Sequence, residues 1–355
     1  MTTIATHGLT VRKDGVDAVR GIDLRVESGR VLALLGSSGS GKTTLLRALA
    51  GLDPVTAGIV AFGDRDVTDW RPRDRRVAFV FQQPALFPKT VRRNIAFPLE
   101  VARQPADEIR ERVGAEARAL HIESLLRRRP DQLSAGEAQA VQIARALVKQ
   151  PAVLLLDEPF AHVDAHQTAQ LRREVTLIQR GFGVTTVLAA NEPSDAMTMG
   201  DEIAIIDEGR LVQCDVPLAV YSRPQTVNAA LLTGPADVIE VDVTGDSDGS
   251  WLVRPGLRVR AWSPAVEPYR GRSVQMVVRP EWWQLDPNGL ISADVVRVDT
   301  AGPSTSLCCT VGGRPMTVTL PADAAVGAGD RLGLRLEQFV LVDPATGRRI
   351  DTAPT

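Results

Sequence analysis

The chain has 355 residues, 44% of them hydrophobic, and its 41 basic and 43 acidic side chains leave a formal charge of −2. That length predicts two domains with buried cores. The balanced charge excludes the basic footprint of a nucleic-acid binder, and no apolar run approaches the ~20 residues of a membrane helix.

The opening MTTIATHGLT has neither the charged nor the apolar segment of a secretory signal. Three cysteines, Cys214, Cys308 and Cys309, are an odd set with two adjacent, which fits a reducing cytosol and plain strand positions rather than a disulfide framework. Short continuous apolar runs follow along the chain: VLALL at 31–35, AVLLLD at 152–157, TTVLAA at 185–190 and IAIID at 203–207. Such runs mark strands buried on both faces. Helical patterns lie between them, over 106–126 and 134–149. The alternation predicts an α/β fold with a mostly parallel sheet. Near LLTGPADV, residues 231–238, the text changes to short alternating strands (VIEVDV, SVQMVV, ADVVRV, PMTVTL, RLGLRL) separated by Gly, Pro and Asp turns. That is the pattern of a small β-barrel. The expected domains are residues 1–232 and 236–355.

GSSGSGKT, Gly36 to Thr43, matches G-x-x-x-x-G-K-[ST] at every fixed position, after a buried strand and at the start of a helix. Glycines let backbone N–H groups turn inward around phosphates, and the helix N-terminus adds partial positive charge. The candidate nucleotide cradle is Gly36, Ser37, Ser38, Gly39, Ser40, Gly41, Lys42, Thr43 and Thr44. Lys42 is placed for the β/γ-phosphates and the Thr43 hydroxyl for Mg²⁺. VLLLDEP ends a buried strand with Asp157, a candidate for a Mg²⁺ water, and Glu158, a candidate to polarise an attacking water. LSAGEAQAVQIARAL, Leu133 to Leu147, starts a helix with a capping box of Ser134 and Glu137. The same start is an anion site made of the Ser134 hydroxyl, the Gly136 N–H and the helix dipole.

With those three motifs the chain resembles the ATP-binding subunit of an ABC transporter, and 133–147 resembles the family's LSGGQ signature. The resemblance implies a nucleotide-binding P-loop domain with a helical subdomain at about 90–150. It implies ATP and Mg²⁺ as cofactors, and a dimer in which Ser134, Gly136 and Glu137 cap the γ-phosphate bound by the other subunit. VAFVFQQPALFP resembles the Q-loop, with Gln82 at the position that senses Mg²⁺ and attacking water, and Ala85 to Pro98 resembles the surface that grips membrane subunits. FAHVDAHQ resembles the D-loop, with Asp164 at its aspartate. VVRPEWW at 277–283, VLVDPATGRRI at 340–350 and the connector 219–235 resemble the OB-like (TOBE) barrel of import ATPases. The layout is most similar to carbohydrate-uptake ATPases of the maltose-importer type, with iron, polyamine and sulfate importers sharing much of it. The implied partners are a second copy or a paralogous ATPase subunit, two permease subunits and, indirectly, an extracytoplasmic binding protein. The implied location is the cytoplasmic face of the membrane.

The chain departs from the family pattern at three places. Lys13 or Asp14 stands where an adenine-stacking aromatic is usual, with Val11 and Val16 nearby to cover the base. The signature carries Ala135 for Gly and Glu137 for Gln. In VLAANEPSDAM, Asn191 stands where a histidine contacts the γ-phosphate. An amide still donates a hydrogen bond but carries no proton to give at neutral pH. The expectation is an active but slow site, or a degenerate partner in a mixed dimer, with His162 as a candidate substitute for the missing imidazole.

Overall fold

The computed structural model describes residues 2–161, 163–246, 249–261 and 263–350. Contacts divide the chain into two compact units, Met1–Pro217 and Leu218–Thr355.

The first unit opens with β1 (Ile4–Lys13) and β2 (Val16–Val26), an antiparallel hairpin. β3 (Val31–Leu35) leads into α1 (Lys42–Ala50), then β4 (Ala57–Phe62), β5 (Arg65–Asp66) and β6 (Val77–Val80). α2 (Val91–Val101), α3 (Ala106–Ala119) and α4 (Ala135–Leu147) form the helical segment. β7 (Val153–Asp157), α5 (Ala165–Phe182), β8 (Thr185–Ala190), α6 (Pro193–Met199), β9 (Glu202–Asp207) and β10 (Arg210–Asp215) complete the unit. One sheet has the order β2-β1-β4-β5 and the other β10-β9-β3-β8-β7-β6. In the second sheet β6, β7, β8, β3 and β9 run parallel and β10 closes the edge antiparallel. Every residue of β3, β7 and β8 is buried, which is why those segments read as unbroken apolar runs instead of alternating ones. Leu32, Leu34, Leu45, Leu49, Leu155 and Val187 share one core with the inner face of the hairpin. The C-terminal ends of β3, β7 and β8 therefore leave the core together.

The helix expected over 106–126 is shorter. It stops at Ala119, His121 takes a positive φ of 53°, and a separate 3-10 turn covers Glu123–Leu125. A non-glycine residue in the left-handed region cannot continue an α-helix, and no Gly or Pro marked the break.

The second unit contains α7 (Pro217–Ser222, whose first residue closes the first unit), α8 (Val227–Thr233) and strands β11 (Asp237–Asp246), β12 (Gly249–Arg254), β13 (Leu257–Ala261), β14 (Ser273–Val278), β15 (Trp283–Leu285), β16 (Ile291–Ala301), β17 (Ser304–Val311), β18 (Arg314–Pro321), β19 (Arg331–Leu336), β20 (Val340–Val342) and β21 (Arg349–Ile350). They form two antiparallel sheets, β13-β12-β11-β14-β20-β21 and β15-β19-β16-β17-β18, around one apolar core. The sequence reading puts the boundary at 232–236, whereas the units part at 217/218. Arg279 gives a physical reason. Fully buried, it donates to the carbonyls of Tyr221, Ala230, Gly234 and Pro235 and to Thr233 Oγ1, so the connector is bound into the β unit. Among the described residues no helix is long and apolar enough to cross a membrane.

Candidate active site

The turn between β3 and α1 wraps around a cavity of about 350 Å³. Its backbone has little freedom. A Cβ on Gly36 would collide with the Ile206 carbonyl and Ser40 Oγ, and one on Gly41 (φ 106°) would strike the Ala18 carbonyl. Lys42 is only 4% exposed. Its Nζ donates to the carbonyls of Gly36 at 2.7 Å and Ser37 at 3.1 Å, folding the loop over the ammonium. Burial pulls the Lys42 pKa down, and the nearby Glu158 and Asp157 carboxylates push it back up. Ser40 Oγ is buried with no hydrogen-bond partner among the described residues. A buried donor without a partner costs about 1–3 kcal/mol. That orphan, the close-packed glycines Gly36 and Gly41 and the ammonium fit a polyphosphate.

The cavity gathers residues from five stretches of sequence. Ser38, Gly39, Ser40, Gly41, Lys42, Thr43 and Thr44 line it together with Ala18, Gln82, Glu158 and Asn191. Gly36 and Ser37 contribute through the carbonyls that hold Lys42. Thr43 Oγ1 donates to Asp157 Oδ1 at 2.9 Å, so two of the three candidate metal ligands, Gln82 being the third, already meet. Burial raises the Asp157 pKa, offset in part by the Thr43 hydrogen bond, Lys42 and Arg47. Glu158 sits at φ 46°, in the left-handed region, and its N–H donates to the Ala189 carbonyl of β8 at 3.0 Å. A non-glycine residue held there stores about 1–3 kcal/mol of strain, a pattern that clusters at functional sites. Asn191 leaves the end of β8 just before Glu192 and Pro193, the cap and first residue of α6.

The signature residues lie elsewhere. Ser134 Oγ accepts from Glu137 N–H at 3.2 Å, and Glu137 Oε2 accepts from Ser134 N–H at 2.8 Å, so the expected capping box is formed. Gly136 is buried against Gln167 and Val163. Asp164 Oδ1 accepts from Gln167 N–H at 3.0 Å and caps α5. None of the residues at 134–137 or 164 lines the phosphate cavity. Val11 is 1% exposed in the core of the hairpin, so it is not available to cover a base, whereas Val16 is 59% exposed at the hairpin turn. His162 lies outside the described residues.

Side chains of α2 and α4 that are not among the candidate site residues hold the Q-loop. Gln142 donates to the Phe81 carbonyl at 2.8 Å and accepts from Ala85 N–H at 2.9 Å, while Arg145 donates to the Ala85 carbonyl at 2.7 Å. Asn94 accepts from Phe87 N–H and donates to the carbonyls of Phe87 and Lys89. Two glutamines, Gln139 and Gln142, one turn apart on a buried helix face were the available signal. Beside the Q-loop lies a groove of about 530 Å³, lined by Phe79, Phe81, Phe87, Phe97 and Val101 with Arg145 and Lys149 at its polar side.

The ABC transporter family profile matches residues 19–161. The sn-glycerol-3-phosphate import ATP-binding protein of Roseobacter denitrificans is 34% identical over 333 residues, covering 91% of this chain and 92% of that protein. The uncharacterized ABC transporter ATP-binding protein y4oS of Sinorhizobium fredii is 35% identical over 354 residues, covering 99% and 95%. Among solved structures, cbiO1 of Clostridium perfringens, part of the ABC transporter complex cbiONQ, aligns with a TM-score of 0.57 at 29% identity, covering 61% of this chain and 89% of that one. A dimeric ATP-binding cassette in a post-hydrolysis state, bound to ADP and Pi, aligns with a TM-score of 0.56 at 27% identity, covering 60% and 98%.

Proposed function

The chain belongs to the ABC transporter family as an ATP-binding, ATP-hydrolysing subunit coupled to transport, and on that premise we propose that it drives uptake of a carbohydrate or sugar phosphate. Phosphorylated polyols of the glycerol-phosphate class are the first substrates to test, because glycerol-phosphate import proteins are among its relatives over nearly their full length. The observation that carries the reading is that Lys42, Gln82, Glu158 and Asn191 line one cavity. Lys42 binds the β/γ-phosphates. Thr43, Asp157 and Gln82 would hold Mg²⁺, whose charge would offset that of the phosphates. Glu158 polarises the attacking water, Gln82 orients it, and the Asn191 amide donates to the γ-phosphate.

Ser134, Gly136 and Glu137, with Asp164, serve the nucleotide of a second copy, since they stand apart from this chain's own phosphate cavity. The aromatic groove beside the Q-loop receives the permease subunits at the cytoplasmic face of the membrane, and an extracytoplasmic binding protein delivers the substrate to them. Phe81 lines that groove and Gln82 the cavity, so one peptide bond joins docking to chemistry. The test is Glu158→Gln. Turnover should fall by at least about 10²-fold while ATP affinity stays within about twofold, because binding rests on the phosphate loop. With Mg²⁺ and ATP the variant should elute as a dimer. Wild-type turnover in this variant would remove Glu158 from the mechanism.

A further inference from the structure

We infer that the ion pair between Arg172 and Asp195 is the strut that positions Asn191 in the phosphate cavity and ties its loop to the helix capped by Asp164. The inference rests on the reading of Asn191 as a donor to the γ-phosphate.

α6 has little of its own to hold it. It is seven residues long, its cap Glu192 makes no side-chain hydrogen bond to it, and Pro193 occupies its first turn. A helix that short is not stable by propensity. Ala196 and Met199 bury its far half, but the half next to Asn191 carries Asp195 as its inward residue. Asp195 Oδ1 accepts from Arg172 Nη2, and the two side chains are 8% and 16% exposed. Burial raises the Asp195 pKa, the charge and hydrogen bond of Arg172 offset this in part, and the exposed Glu192 adds to the rise. Arg172 Nε is buried without a partner among the described residues. The guanidinium is therefore committed to this one carboxylate.

Arg172 stands near the middle of α5. At the N-terminus of the same helix Asp164 accepts from Gln167 N–H. The eight residue steps from Asp164 to Arg172 make a rod of roughly 12 Å at ~1.5 Å per residue. A displacement of the Asp164 end is carried along that rod to α6, and from α6 to Asn191, four residues before Asp195 in the chain. Arg172 and Asp195 act through Asn191 and are positioning residues.

The experiment is a double-mutant cycle on the full-length chain with Mg²⁺ and ATP. Asp195→Asn is nearly isosteric, and Arg172→Lys keeps the cation while shortening its reach. Each should lower kcat by about tenfold with KM for ATP within about twofold, because the phosphate loop is untouched. In an Asn191→Ala background the same changes should lower kcat no further. A pair that only stabilises the fold would lower Tm and leave kcat unchanged, or would lower kcat by the same factor in both backgrounds, and either result overturns the inference. Should Asp195→Asn not yield folded protein, Arg172→Lys alone runs the cycle. If Asn191→Ala itself leaves kcat unchanged, the donor role of Asn191 fails and the strut fails with it. If Asn191→Ala lowers kcat but the pair is additive to it, the strut alone fails.

Discussion

Replacing Arg279 by Met should cost the second unit about 3 kcal/mol, once the relief of removing a buried charge is set against the acceptors it orphans. Arg279 is fully buried, and burial holds its pKa below the ordinary guanidinium value. Its guanidinium makes five hydrogen bonds of 2.7 to 3.1 Å and stacks 4.0 Å over the Tyr221 ring. Two of the bonds, to the Ala230 carbonyl and Thr233 Oγ1, are fully buried. Losing the donor to each of those two costs about 1–3 kcal/mol, and the lost stacking adds about 0.5–2 kcal/mol. Met keeps the apolar stem and returns part of the desolvation cost. For a unit of this size the net corresponds to a Tm lower by roughly 10 °C. Tryptophan fluorescence is a suitable probe, because of the five tryptophans only Trp70 lies in the first unit. A variant that melts within about 2 °C of wild type, or above it, is inconsistent with Arg279 stabilising the second unit. It would mean that desolvating the guanidinium offsets everything its hydrogen bonds gain.

Three further outcomes are expected. Asn191→His should raise kcat about tenfold with little change in KM, since an imidazole can add charge where the amide supplies only a neutral donor; a flat or lower rate in steady-state assays would deny that Asn191 is a weakened switch. Ser134→Arg should silence hydrolysis without weakening ATP binding to the isolated chain, and an equal fall in both, by calorimetry and turnover, would put Ser134 in the chain's own site. Glu116, buried on α3 with no partner for Oε2 among the described residues, has its carboxyl pushed by burial from 4.5 up to about 7. A raised carboxyl pKa means the folded state binds the proton more tightly, so stability present at low pH is lost as pH rises from 4.5 to about 7. The loss is up to ~3 kcal/mol, and urea unfolding of Glu116→Gln should show that part of the pH dependence gone, with a more stable first unit at pH 8.

The phosphate loop could be read directly because its chemistry needs fixed spacing, and Gly36, Gly41, Lys42 and Thr43 occur at that spacing between a buried strand and a helix. The buried strands were legible for the same local reason, since five consecutive apolar residues at 31–35 have few other uses. What the sequence hides is long-range. Arg172 and Asp195 lie 23 residues apart on two helices, and nothing in either local pattern says that they meet. The boundary at 217/218 depends on Arg279, which reaches back 58 residues to Tyr221. The end of α3 depends on a positive φ at His121, a residue type that carries no turn signal of its own. Gln142 was legible in principle, as a polar side chain on a buried helix face that must have a partner.

The separation of the signature residues from the phosphate cavity bears on how one chain can turn over ATP. Lys42 and Glu158 line the phosphate cavity, while Ser134 spends its hydroxyl on the start of α4, with Gly136 packed beneath Val163 and Gln167. Val163 and Gln167 flank Asp164, so the signature and the D-loop form one surface within the chain rather than two independent ones. On the proposed reading that surface meets a second copy's nucleotide as a unit. A contact there would press on the cap of α5, and α5 carries Arg172, the partner of Asp195 beside Asn191. The site that a copy completes for its partner and the donor in its own cavity would then sit at two ends of one helix. Closing the dimer would set Asn191 in each copy as part of the same movement, which offers a physical reason for a neutral, shorter donor to support turnover, though more slowly than an imidazole: closure supplies the geometry but not the charge.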